Sequence, residues 1–141
     1  MSNRRKLSWL TSMRDMRQDR MTRAMVREER LRATAGLRDQ PALTSWRGKS
    51  GRRYVVGIHP ASEADIADVT DAVLIAVQRA GDGTAEVLDV AAPGGLSSRR
   101  QRQRWVSSMR ARGATELHIH RLAESESERL AVVADLAVGA P

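Results

Sequence analysis

Three histidines have the residue type and the spacing that could bind a metal ion: His59, His118 and His120. His118 and His120 are two residues apart in a predicted strand, so both side chains should lie on the same face. His59 ends another predicted strand, and three imidazoles are a ligand set that zinc accepts. The competing interpretation is that these histidines are exposed on a polar strand face or covered by a helix. No cofactor is predicted from the rest of the sequence.

Arginines are the second group with evident chemistry, because the planar guanidinium fork suits phosphate and carboxylate groups. Residues 1–53 contain 15 basic and 5 acidic residues, whereas residues 54–141 contain 9 and 12. A basic segment of this kind favours contact with a polyanion. The competing interpretation is a solvated charged face, since no base-reading motif accompanies the charge. The polyanion-binding residues predicted in this segment are Arg14, Arg17, Arg20, Arg23, Arg27 and Arg30.

A second basic stretch, PGGLSSRRQRQR at 93–104, runs from a glycine-rich turn into a predicted helix. Free N–H groups at a helix N-terminus and the helix dipole attract phosphate or carboxylate. Neither the P-loop spacing nor GxGxxG is present, and the competing interpretation is a strand-to-helix loop with a solvated basic face. The predicted polyanion-binding residues here are Arg99, Arg100, Arg102 and Arg104.

An acidic cluster precedes the most apolar segment of the chain, and it consists of Glu63, Asp65, Asp68 and Asp71. Grouped carboxylates can hold magnesium in a hydrolytic site. Carboxylates that cap the backbone of their own loop explain the cluster more simply. There is no nucleophile-elbow motif, and we predict no catalytic residue.

Apolar residues at helical spacing, with no glycine or proline, predict a long amphipathic helix over residues 5–35. Methionine side chains suit an adaptable contact surface. The predicted partner-docking residues are Trp9, Leu10, Met13 and Met16.

The chain is predicted to contain three parts: a basic helical arm at 1–36, a linker at 37–52 and a compact core at 53–141. The linker assignment depends on Pro41, Gly48 and Gly51. Leu130, Val133 and Leu136 are predicted to line the core side of the last helix. The predicted fold class is α+β (mixed α/β), with a single mixed sheet of about four strands in α-βββαβα order.

These patterns predict a non-enzymatic binding protein whose arginine-rich arm attaches an α/β core to a polyanion, with nucleic acid as the favoured partner. The alternative is a structural or adaptor subunit whose Met- and Trp-bearing segment docks on a protein partner or on a second copy. The sequence has no cysteine and no apolar run long enough for a membrane span, so a cytoplasmic location is expected.

Overall fold

The computed structural model describes residues 26–31, 42–62 and 69–138. Within these ranges a six-stranded sheet is combined with two α-helices and a short 3-10 turn at Pro93–Gly95. The elements in chain order are β1 (Arg27–Glu29), β2 (Leu43–Arg47), β3 (Arg53–Pro60), β4 (Val73–Arg79), β5 (Ala85–Ala91), α1 (Arg99–Ala111), β6 (Glu116–His120) and α2 (Glu126–Leu136).

The strand order is β1-β2-β3-β6-β4-β5, and every neighbouring pair is antiparallel. The prediction of a mixed sheet of about four strands was therefore wrong. Strands β1 and β2 were not predicted, and they lie in the segments assigned to the arm and the linker. The prediction of a long N-terminal helix over residues 5–35 was also wrong, because Arg27–Glu29 is a strand.

Two physical reasons explain these differences. Gly48 and Gly51 form the tight turn of the β2–β3 hairpin, and Gly51 has a φ of 90° that favours glycine. The same glycines suggested a linker because turn and linker share their composition. Strand β1 has three charged residues and no strand pattern of its own, so its pairing with β2 determines its conformation.

The sheet is curled, because side chains of β1 and β4 meet although three strands lie between them. Arg79 on β4 donates hydrogen bonds to Glu28 on β1. The inner face of the curl carries one hydrophobic cluster, which α2 completes. Its buried members are Trp46, Val56, Val73, Ile75, Val77, Val87, Val90, Ala123, Val132 and Leu136.

Helix α1 covers part of the outer face of the sheet with Trp105 and Met109. These side chains pack against Leu74 and Ala76 of β4, whose neighbours in sequence face the inner cluster. Strand β4 is therefore buried on both faces, which explains its continuous apolar run. The outer cluster also contains Ala61, Val69, Ala72, Ala114, Leu117 and Ile119.

Helix α2 begins at a Ser125 cap, whose hydroxyl accepts a hydrogen bond from the Glu128 amide at 3.1 Å. Leu136 is fully buried in the inner cluster and Val133 packs against it, as predicted. The prediction for Leu130 was wrong, since this side chain is 52% exposed and Val132 is buried instead.

Two substitutions in α2 test this orientation. We expect Leu136→Ala to lower the free energy of unfolding by about 2–5 kcal/mol, because it leaves a cavity in the inner cluster. The matched change Leu130→Ala should alter it by less than about 0.5 kcal/mol. Urea denaturation measures both, and equal losses would contradict the orientation of α2.

Candidate functional site

Three arginines form a row across the outer face of the sheet. Arg27 of β1 is directly opposite Arg47 of β2, which is directly opposite Arg53 of β3. Side chains at directly opposite positions lie on the same face, and like charges in that arrangement repel. The side chains are 43%, 28% and 50% exposed, so solvent and solutes can reach the row. We call these three residues the arginine row.

One carboxylate holds the arginine row together. Glu29 accepts hydrogen bonds from Nε and Nη2 of Arg47 and lies 2.7 Å from Nη2 of Arg53 and 3.5 Å from Nε of Arg27. The hydrogen bond from Arg47, assisted by the charges of Arg47 and Arg53, lowers the pKa of Glu29 to about 2. Three guanidinium groups therefore share a single negative charge, and the cluster keeps a net positive charge.

The tip of the β2–β3 hairpin extends this basic surface. Lys49 and Arg52 are exposed there, and residues 42–62 contain four basic and no acidic residues. The amide and hydroxyl of Ser50 donate hydrogen bonds to the Asp135 carboxylate of α2 at 2.7 and 2.6 Å, and the Tyr54 hydroxyl donates at 2.8 Å. The tip is thus fixed against α2.

The hydrogen bonds between the hairpin tip and α2 shift the pKa values of Asp135 and Tyr54. Burial acts to raise the pKa of Asp135, but the hydrogen bonds from Ser50 and Tyr54 outweigh it and the pKa is lowered. Burial and the contact with Asp135 raise the pKa of Tyr54 to about 12. Gly48 packs so closely on the Asp135 carboxylate that a Cβ atom at this position would clash with it.

A buried chain of polar side chains positions β1, and with it Arg27 and Glu29. Glu28 points to the inner face, where both of its oxygens accept hydrogen bonds from Arg79 at 3.0 and 2.8 Å. Arg79 also donates from Nε and Nη2 to Glu116 of β6 at 2.8 and 3.0 Å. Burial acts to raise the pKa of both carboxyls, but hydrogen bonds to Arg79 lower it overall.

The chain continues from Glu116 to His118 and Trp46. The Trp46 indole donates to Nδ1 of His118 at 2.8 Å, so the proton of a neutral imidazole is on Nε2. His118 Nε2 then donates to Glu116 at 2.9 Å. Burial lowers the pKa of His118, which keeps the ring neutral at physiological pH.

The structure does not bring the three histidines together. His118 and His120 are buried on the inner face, where Nδ1 of His120 donates to the Val55 carbonyl at 2.8 Å. His59 is opposite Leu117 on the outer face. Among the described residues no group of three potential ligands is placed to hold a metal ion. Of the acidic cluster only Asp71 lies within the described ranges, exposed and 3.7 Å from Arg121.

The predicted polyanion-binding arginines have different surroundings. Arg102 is buried and donates to the Leu96 carbonyl at 3.0 Å, which gives it a structural role in α1. Arg30 follows β1 and donates to the Gly83 carbonyl at 3.3 Å. The other three arginines predicted on α1, Arg99, Arg100 and Arg104, are exposed. Arg14, Arg17, Arg20 and Arg23 lie outside the described residues, as do Trp9, Leu10, Met13 and Met16.

Ser98 and Gln101 occupy the N-terminus of α1 themselves. The Gln101 amide donates to the Ser98 hydroxyl and the Ser98 amide donates to the Gln101 side chain, both at 3.1 Å. This capping box satisfies backbone amides that were predicted to be free to bind an anion.

Arg47, Arg53 and Glu29 were not identified as site residues from the sequence. The available signal was the pair of strand-like segments on either side of Gly48–Gly51.

Comparison of the chain with protein-family models, curated proteins and solved structures gave no match. In the described part of the chain, neither helix is long and apolar enough to cross a membrane. The candidate site is therefore defined by its geometry: the arginine row, held by Glu29, and the hairpin tip, held by Asp135.

The contact between Glu28 and Arg79 can be tested by stability. We expect Glu28→Gln to lower the free energy of unfolding by about 2 kcal/mol, because a charged hydrogen-bonded partner of a largely buried guanidinium is lost. Glu86→Gln, an exposed position on β5, is the matched control and should change it by less than about 0.5 kcal/mol. Similar effects of the two changes would show that Arg79 does not hold β1.

The low pKa of Glu29 predicts a specific pH dependence. A carboxyl with a lowered pKa in the folded state stabilises the fold above its ordinary pKa of 4.5 and loses this contribution as pH falls toward about 2. The difference in unfolding free energy between wild type and Glu29→Gln should therefore shrink between pH 4.5 and 2. Urea titrations at pH values where the protein stays folded measure this difference in unfolding free energy. A difference that does not change with pH would contradict the pairing of Glu29 with the arginine row.

Proposed function

We propose that this protein is a nucleic-acid-binding protein that contacts phosphates through the arginine row and the tip of the β2–β3 hairpin. The observation that carries the proposal is the excess of positive charge on the arginine row and the adjoining hairpin turn. Arg27, Arg47 and Arg53 share Glu29, and Lys49 and Arg52 are two further exposed cations in the turn between Arg47 and Arg53.

The negative groups in this surface are already engaged within the protein. Glu29 is bound to the arginine row, and Asp135 accepts hydrogen bonds from Ser50 and Tyr54. They orient the cations and the hairpin without neutralising the whole surface. Guanidinium groups held in position in this way suit phosphate, because less conformational freedom is lost when each hydrogen bond forms.

The N-terminal sequence supports the same location. Residues 1–25 contain seven basic and two acidic residues. They precede Val26, which packs against the inner cluster, and Arg27, which belongs to the arginine row. Strand β1 therefore begins beside the hairpin tip, because Arg27 is directly opposite Arg47.

Phosphate contacts of this kind position a protein on nucleic acid and carry no sequence information. The proposal accordingly needs no base-reading helix, and none of the known motifs is present in the sequence. The adaptor alternative depends on Trp9, Leu10, Met13 and Met16, and nothing in the described residues favours it over phosphate binding.

The salt dependence of binding tests the proposal. We expect the affinity for a single-stranded oligonucleotide of about 12 residues to fall linearly on a log–log plot against salt. The double change Lys49→Gln with Arg52→Gln should reduce the slope by about 1.4, because each single-strand phosphate contact contributes about 0.7. Fluorescence anisotropy between about 50 and 200 mM salt measures both quantities.

The matched control is Arg100→Gln with Arg104→Gln, which removes the same charge from exposed positions on α1. It should leave the slope nearly unchanged if the hairpin tip contacts the phosphates. An equal reduction by the two double changes would contradict the location, and binding that is independent of salt would contradict the function.

A further inference from the structure

An apolar groove lies on the outer face of the sheet beside the arginine row. It has a volume of about 350 Å³ and is lined chiefly by Leu43, Val55, Gly57, His59, Ile119 and Leu122. Leu122 is 68% exposed at its rim, which is unusual for a large apolar side chain. Among the described residues no carboxylate lines this groove, and Arg121 is its charged member.

Gly57 leaves the groove open at its floor. This residue lies within β3 without a positive φ, so the backbone conformation does not require glycine. A Cβ atom at this position would meet only Nε2 of His59, at an ordinary contact distance of 3.5 Å. Glycine in the interior of a strand weakens it and often marks a close approach of a ligand. A larger side chain would fit the fold and fill part of the groove.

The groove and the arginine row are continuous along β3. Arg53, Val55, Gly57 and His59 alternate along the strand and therefore share the outer face. Arg53 and Gly57 are separated by about 13 Å at the usual rise of a strand. A chain that carries both negative charge and flat apolar rings could therefore contact both sites at once.

We propose that the groove takes a nucleobase of a single strand whose phosphates lie on the arginine row. Charge complementarity selects this occupant, because a positively charged surface flanks an apolar slot that lacks carboxylates. Bases within a duplex are stacked on one another and cannot enter, whereas unpaired bases bind by stacking and by burial of their rings. His59 and Arg121 line the slot, and both carry planar groups on which a base can stack. This inference depends on the proposed function and adds that the nucleic acid is single-stranded.

The test compares two strands of equal charge. A fluorescent oligothymidylate of about 12 residues is compared with an abasic strand of the same length, in titrations followed by anisotropy. We expect the wild type to bind the base-bearing strand about tenfold more tightly, as stacking of one base predicts. Gly57→Val should abolish this preference and leave the affinity for the abasic strand unchanged.

A second variant makes the test independent of the folding of Gly57→Val. Leu122 is exposed, so Leu122→Ser should preserve the fold and reduce the preference by about threefold. The urea midpoint of each variant serves as the control for folding.

The outcomes separate the two proposals. Equal binding of base-bearing and abasic strands by the wild type, or an unchanged preference in both variants, would overturn the groove as a base site while phosphate binding stands. Absence of binding to either strand would overturn the proposed function itself. Capture of an acidic peptide that Gly57→Val abolishes, without any base preference, would assign the groove to a protein partner instead.

Discussion

The double pairing of Arg79 with Glu28 and Glu116 is the interaction on which the arrangement of the sheet depends. Strand β1 has only three residues, and all three are charged, so it has almost no apolar surface of its own to keep it in place. Arg79 reaches across the inner face and binds β1 to β4 and β6 with hydrogen bonds of 2.8 to 3.0 Å. Because His118 and Trp46 continue the chain from Glu116, the side chains of this network pair with one another. Such a network is stabilising only when its members are paired, which makes each of them sensitive to substitution.

The charge of the outer face follows from this anchoring. Alternate residues of a strand face opposite ways, so fixing Glu28 inside places Arg27 and Glu29 outside. Glu29 then brings three guanidinium groups together, which would otherwise repel one another across the strands. Asp135 performs a similar task for the hairpin tip, where it holds Ser50 and Tyr54. Glu29 thus organises cations that remain accessible, and Asp135 fixes the turn that connects Arg47 to Arg53, which is an arrangement suited to binding an anionic chain.

The strongest sequence patterns predicted their elements well. The most apolar segment of the chain forms β4, the helix predicted after the glycine-rich turn is α1, and the predicted last helix is α2. The prediction failed where tertiary contacts decide the local structure. The charged residues of β1 match the pattern of a basic helix. Their strand conformation comes from pairing with β2 and from the hydrogen bonds between Arg79 and Glu28. The arginine row could not be predicted either, because Arg27, Arg47 and Arg53 are far apart in sequence and depend on strand register. The burial of His118 and its separation from His59 could not be predicted for a similar reason. Strand periodicity assigns a side chain to one face of the sheet, but it does not show what covers that face.

A map of the nucleic-acid contact surface shows directly whether the arginine row and the hairpin tip bind the strand. Amide chemical-shift changes in isotope-labelled protein, titrated with a single-stranded oligonucleotide of about 12 residues, report which strands bind. We expect the changes to concentrate at Arg27–Glu29 and along the hairpin from Arg47 through Gly57, with little change in α1. Changes confined to Arg99–Ala111, or none in the described sheet, would contradict it.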